Sequence, residues 1–185
     1  HEAKSRGLRT AIISDGHSTP EALDYVAPVT DVFRVDLKAH DDGSYRRLGG
    51  ALAPVLDSIA GARARGLWVE VVTLVVPGLN DDPAALSHLA GTLRDIDADL
   101  PWHLNAFVPR YKMKDTPATP PLPIVSAVGS GYARGLRFVY SSNDPNLHEL
   151  AHTRWNDAFG FGGSDRWGGA RFGSRSKVAS SLEPG

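Results

Sequence analysis

The residues with the chemistry to hold a polar ligand fall where apolar runs end. Ser14 and Asp15 close the run from Arg9. Asp36 and Lys38 close the run from Asp31. Thr73 and the Pro77-Gly78 turn end the run from Trp68, and Asn105 stands late in the run from Trp102. A hydroxyl, carboxylates, an amine and an amide can together bind charge and hydrogen-bonding groups. Taken singly, each is also what a turn or a solvated surface charge looks like. If the runs are parallel strands, their C-terminal ends share one rim, and four polar strand ends there favour a binding site.

A second constellation is His148-Glu149-Leu150-Ala151-His152, which has the form H-E-x-x-H. On a helix this spacing sets two imidazoles on one face to hold zinc, with the glutamate as general base. Here it follows Asn143-Asp144-Pro145-Asn146 and runs straight into Gly-rich sequence, and position 158, where a third histidine would stand, is Ala158. A zinc hydrolase is therefore the remote reading, and no metal ligands are assigned. His17, His40, His88 and His103 are scattered, and no G-x-S-x-G elbow supports acyl transfer.

The apolar runs set the scaffold. Trp68 to Val76 is the most β-branched stretch, with Val69, Val71, Val72, Thr73, Val75 and Val76. It does not alternate apolar with polar, which predicts a strand covered on both faces. Pro77-Gly78 stops it, and a helix restarts at Pro83 with Asp81 or Asp82 as N-cap. Further strands are expected at Arg9–Ser14, Asp31–Lys38, Trp102–Phe107 and Gly135–Tyr140. Helices are expected from Pro20 behind a Thr19 cap, over Asp41–Leu48, over Ala51–Arg65 with Gly66 as stop, over Pro83–Ile96, and over Ile124–Arg134. Val108 to Pro123 reads as a long loop with the basic residues Arg110, Lys112 and Lys114. Strand and helix thus alternate four times before a final strand. That is an α/β pattern with parallel strands, open between a doubly wound sheet and part of a β/α barrel. No G-x-G-x-x-G follows the first strand, which counts against a dinucleotide fold.

The totals narrow the function classes. A chain of 185 residues with 42% apolar residues makes one domain, or one domain and a tail. A formal net charge of −1 gives no electrostatic case for nucleic acid or an acidic membrane surface. No apolar run is long enough to span a bilayer. Without cysteine, neither a disulfide nor a thiolate metal site can form within these residues. The first residue is His1, with no initiator methionine and no secretory leader pattern, so the start reads as a cut within a longer protein. Residues 154–185 are rich in Gly and Ser and poor in aliphatic residues, which predicts a disordered or non-native tail behind a domain of residues 1–153.

Five stretches in order carry a family resemblance: Ser14 to Leu23, Arg34 to Lys38, Leu48 to Asp57, Trp68 to Asp82, and Pro109 to Pro117. Together they resemble the radical S-adenosylmethionine enzymes of the AmmeMemoRadiSam system, relatives of pyruvate formate-lyase-activating enzyme. The resemblance runs from about residue 10 to about residue 153. It implies a partial β/α barrel of the TIM-barrel-like radical SAM type, here without its first two strands. It implies a 4Fe–4S cluster held by a three-cysteine loop and S-adenosyl-L-methionine cleaved to a 5′-deoxyadenosyl radical. An unidentified substrate or partner protein gives up the hydrogen, in a cytoplasmic oxidoreductase or activase. By resemblance, Ser14-Asp15-Gly16 falls on a Ser/Thr-Asn-Gly turn, Asp36 and Lys38 on an Asp-Leu-Lys motif, and Thr73, Pro77 and Gly78 on the strand and turn near adenosine. Asn105 belongs to the same strand-end rim. Phe107-Val108-Pro109 stands where the family has Phe-His-Pro, so Val108 replaces a ribose-proximal histidine. The cluster cysteines have no counterpart, so the isolated chain is expected to be an inactive C-terminal part of such an enzyme. A non-catalytic β/α module for a nucleotide or other small ligand is the reading from another class.

Overall fold

The computed structural model describes residues 1–142, with the backbone alone at Ser142. The 153/154 boundary, the tail and the His148–His152 sequence lie outside the described residues. The elements are α1 (Glu2–Ser5), β1 (Ala11–Ser14), α2 (Pro20–Val26), β2 (Val32–Asp36), α3 (Asp42–Arg47), α4 (Leu52–Ala64), β3 (Trp68–Val75), α5 (Pro83–Ile96), β4 (Trp102–Ala106), α6 (Pro121–Ala133) and β5 (Val139–Ser142). Short 3₁₀ turns occupy Ala27–Val29 and Tyr111–Met113.

The local chemistry explains most boundaries. Thr19 caps α2 by accepting the Ala22 N–H at 3.2 Å, and Asp82 caps α5 by accepting the Ala85 N–H at 2.9 Å. Of the two aspartates open for that role, Asp82 holds it. The sixth helix starts three residues before the expected Ile124, at Pro121. Proline at the first helical positions removes only N–H groups that have no intrahelical acceptor, so Pro121 and Pro123 begin the helix instead of preventing it. The last strand begins at Val139, after the Gly135 turn, later than the expected Gly135.

All five strands are parallel, and their order across the sheet is their order in the chain. That settles the choice the alternation left open. Right-handed crossovers between successive neighbours put every connecting helix on the same side of the sheet, whereas a doubly wound sheet reverses direction and has helices on both. The side chains follow suit. Phe33, Val35 and Leu37, then Val69, Val71, Thr73 and Val75, then Trp102, Leu104 and Ala106, then Val139 are buried and pack with Val55, Ile59, Leu86, Leu89, Leu93 and Ile124 of the helices.

The other face carries no helix among the described residues. Coverage on both faces, expected for β3, is therefore corrected: Trp68 and Leu74 lie exposed on the open side. β3 is apolar on both sides because its helix-facing residues are core, while Val72 and Leu74 line the open face.

Candidate functional site

The register places the polar groups in rows across the open face. Asp36 pairs with Val72 and Val72 with His103, which pairs with Tyr140. Asp15, one residue beyond the Ser14–Val35 pair, stands level with them. Two residues back, Arg34 pairs with Ile13 on β1 and Glu70 on β3. Two steps forward, Leu74 pairs with Asn105, level with Lys38 beyond the end of β2. The C-terminal rim thus carries Asp15, Asp36, Lys38 and Asn105 around the exposed Leu74 side chain.

At the rim, Lys38 Nζ lies 3.3 Å from Asp36 Oδ2. The turn after β1 is tight. Ser14 Oγ accepts the Gly16 N–H at 3.0 Å, and Gly16 has φ +87°, the left-handed region that favours glycine. A Cβ there would lie 2.8 Å from both Val35 Cγ1 and Val55 Cγ1, so only glycine lets this turn press onto the core. His17 then accepts the Ala51 N–H on Nε2 at 3.1 Å, an N-terminal acceptor for α4, whose cap residue Ala51 has none of its own. Tyr45, buried in α3, accepts the Lys38 N–H on its hydroxyl at 3.0 Å. Burial, with the Asp15 and Asp36 charges adding, pushes its phenol above the usual range.

Two further residues tie the loops to the sheet. Asn80 is buried and makes three hydrogen bonds. Its Oδ1 accepts the Val76 N–H at 2.7 Å, and its Nδ2 donates to the carbonyls of Lys38 and Leu74, each at 2.8 Å. The loop after β2 is thereby joined to the end of β3. Next to it, Gly78 turns at φ +75° and donates its N–H to Asp81 Oδ1 at 2.8 Å, so the Pro77-Gly78 turn is held at the rim. Thr119 donates its hydroxyl to the Val75 carbonyl and accepts the Phe107 N–H at 2.8 Å, which closes the loop leaving β4.

Deeper on the open face is a second polar group. His103 Nε2 lies 3.4 Å from Glu70 Oε2, and Trp68 donates its indole N–H to Glu70 Oε1 at 3.0 Å. The adjacent imidazole first, then the indole and the Arg34 charge, hold the Glu70 carboxyl below its ordinary range despite burial. The His103 ring stacks on Tyr140 with centroids 5.1 Å apart and planes 25° from parallel. Burial, with the Glu70 charge adding, raises the Tyr140 phenol.

Of the residues expected from the sequence, Asp15, Asp36, Lys38, Asn105, Gly16, Pro77 and Gly78 are brought to one rim. Ser14 is level with Val35, and its hydroxyl serves the turn beneath. Thr73 is the correction. Its side chain is fully buried on the helix-covered face, donates to the Leu37 carbonyl at 2.9 Å and accepts the Trp102 indole N–H at 2.9 Å. The resemblance put Thr73 on the strand near adenosine, but its side chain faces the helices because it shares the parity of Val69, Val71 and Val75. Asn80, Tyr45, Glu70 and Thr119 went unassigned in the sequence. Only Glu70 had a readable signal there: it shares the open-face parity of Trp68, Val72 and Leu74.

No family model matches the chain. An uncharacterized protein of Methanocaldococcus jannaschii is 33% identical over 152 residues, 82% of this chain and 45% of that protein. The isethionate sulfite-lyase activating enzyme of Nitratidesulfovibrio vulgaris is 27% identical over 108 residues, 55% of this chain and 35% of that enzyme. The chain thus spans less than half the length of either curated relative. Among solved structures, a domain of a pyruvate-formate lyase-activating enzyme from Bacteroides vulgatus superposes with a TM-score of 0.62 at 15% identity, covering 77% of this chain and 86% of that one. A radical SAM methyltransferase from Sphaerobacter thermophilus gives 0.55 at 18% identity, covering 77% of this chain and 44% of that one. With its sequential parallel strands and one-sided helices, the chain shares the α/β, partial-barrel-like fold of these structures.

Proposed function

We propose that this chain supplies the S-adenosylmethionine-facing arc of a radical S-adenosylmethionine enzyme of the activating-enzyme kind, as the C-terminal part of its barrel. The observation that carries this reading is the uncovered sheet face. In a β/α barrel that face is the interior, and polar side chains at its C-terminal rim are where ligands sit. The fold likeness to an activating-enzyme domain and the sequence relative with an activating activity support it.

The rim residues fit the ligand. The Asp15 and Asp36 carboxylates accept hydrogen bonds from ribose hydroxyls or an ammonium, and Lys38 opposes a carboxylate. Asn105 stands at the same rim, and the exposed Leu74 side chain seats an apolar ring face. Gly16 and the Pro77-Gly78 turn bring backbone close to the ligand. S-Adenosylmethionine, when bound and reductively cleaved, supplies a 5′-deoxyadenosyl radical for hydrogen abstraction; the residues of this chain bind it and orient it.

The residues present do not fit the 4Fe–4S cluster. Its ligation needs thiolates, and the chain has no cysteine. In this reading the cluster ligands belong to the rest of a longer cytoplasmic protein, where thiols stay reduced, and the substrate or partner protein meets the same rim.

Calorimetric titration of the 185-residue chain with S-adenosylmethionine tests the reading. Saturable one-site binding, weakened at least about tenfold in the double variant D36N/K38M, is expected from losing two charge-assisted contacts. Equal affinity for ATP would favour a generic nucleotide-binding module instead, and no binding would sink both.

A further inference from the structure

The base of the loop from Val108 to Ala118 is fixed at the rim. Thr119 returns it to the ends of β3 and β4 through the Val75 carbonyl and the Phe107 amide. Its tip is the 3₁₀ turn Tyr111–Met113, in sequence Arg110-Tyr111-Lys112-Met113-Lys114. Cations and apolar side chains alternate there, and both kinds face solvent. Tyr111 is 79% exposed, and Met113 and Val108 are exposed as well. Among the described residues, none of these three clustered cations has a carboxylate partner. Lys112 is set over the Tyr111 ring, 5.5 Å from its centroid. Tyr111 has φ +51°, the one left-handed non-glycine residue among those described, a conformation that costs a non-glycine residue backbone strain.

We propose that this loop is a docking surface for an acidic segment of a partner protein, with aliphatic or aromatic side chains between its carboxylates. Unpaired cations call for an anionic occupant. Tyr, Met and Arg are the side chains enriched at protein interfaces, and Met113 and Val108 gain nothing from a phosphate or a sugar. The whole chain has a net charge of −1, which gives no overall electrostatic pull toward nucleic acid. The loop springs from the ends of β3 and β4, so a segment docked on its tip is tethered beside the rim that carries Asn105 and the Pro77-Gly78 turn. The inference rests on the reading of that rim as the reaction site only for what docking accomplishes there.

The test is fluorescence anisotropy with the full chain. The probe is a labelled peptide of about twelve residues in which glutamate alternates with leucine and phenylalanine, long enough to contact one loop. The variant R110E/K112E/K114E is expected to weaken binding at least about tenfold and to reverse its salt dependence, because salt then screens repulsion instead of attraction. The variant Y111A/M113A should weaken it several-fold with the salt dependence retained. All these side chains are exposed, and an unchanged thermal midpoint verifies that the variants fold. Unchanged affinity on charge reversal would overturn the proposal. So would a polyglutamate peptide binding as tightly as the mixed probe, or a single-stranded oligonucleotide binding more tightly. S-Adenosylmethionine titration of the same variants separates the two readings: its loss in every variant and the parent chain faults the rim assignment and leaves docking standing.

Discussion

Replacing Asn80 by alanine removes one side chain and three hydrogen bonds from a site that is 2% exposed. The Val76 N–H loses an acceptor 2.7 Å away, and the Lys38 and Leu74 carbonyls lose a donor 2.8 Å away. A hydrogen bond in a folded protein contributes about 0.5–1.5 kcal/mol net, and orphaning a buried partner costs more than the mean. Three bonds lost together make a cost of about 3 kcal/mol, read at the middle of that range. With a urea slope of about 2 kcal/mol per molar, the unfolding midpoint falls by roughly 1.5 M. Asn80→Asp sharpens the test, because it preserves shape and the bond from Val76 but turns an acceptor toward two carbonyls. It should cost at least as much as alanine at neutral pH. Urea titrations of the three proteins decide the matter. A midpoint shift under about 0.3 M for alanine, or an aspartate variant as stable as the parent, would refute the idea that Asn80 joins the β2 loop to β3.

Thr73→Val keeps the volume but deprives the Leu37 carbonyl and the Trp102 indole of their partner. It should cost about 1–3 kcal/mol in urea unfolding while leaving ligand affinity of the folded protein unchanged by calorimetry; weakened binding would return Thr73 to the site. Gly16→Ala places a Cβ 2.8 Å from Val35 and Val55 at positive φ. A loss of about 2–4 kcal/mol is expected from overpacking and backbone strain together, and a neutral thermal shift would contradict the turn geometry. Asp31 is bonded first by Lys4 Nζ and then by the Thr10 N–H, both at 2.8 Å, which lowers its carboxyl to about 2. Its stabilisation is complete above the unfolded value of about 3.9 and is lost as pH falls through that folded value. Asp31→Asn should therefore flatten the acid limb of the stability curve in that window, and an unaltered limb would count against the interaction.

The sequence announced the scaffold through period and punctuation. β-Branched runs gave the strands, and Thr19, Gly66, Pro77-Gly78 and Pro83 gave the boundaries, because these residues act through their own φ, hydroxyl or missing N–H. The side of the sheet was harder to read. Thr73 and Asn105 are both polar residues within strands, yet one is sealed under helices and the other is on the open face. Only strand order, which depends on pairing between distant residues, separates them. Asn80 illustrates the remaining gap. An asparagine before Asp81-Asp82-Pro83 reads as part of a helix start, and its actual role requires knowing that the Lys38 carbonyl, distant in sequence, lies beside it. Tyr45 and Thr119 were illegible for the same reason.

The most direct test of the binding rim is residue-resolved. Amide chemical shifts of the ¹⁵N-labelled chain, followed during titration with S-adenosylmethionine, report which backbone segments meet the ligand. Saturable shifts are expected at residues 14–16, 36–38, 78 and 105, with little change at Thr73 or along α5. Shifts confined to the helix-covered side, or none at saturating ligand, would contradict the assignment of the open face as the S-adenosylmethionine site.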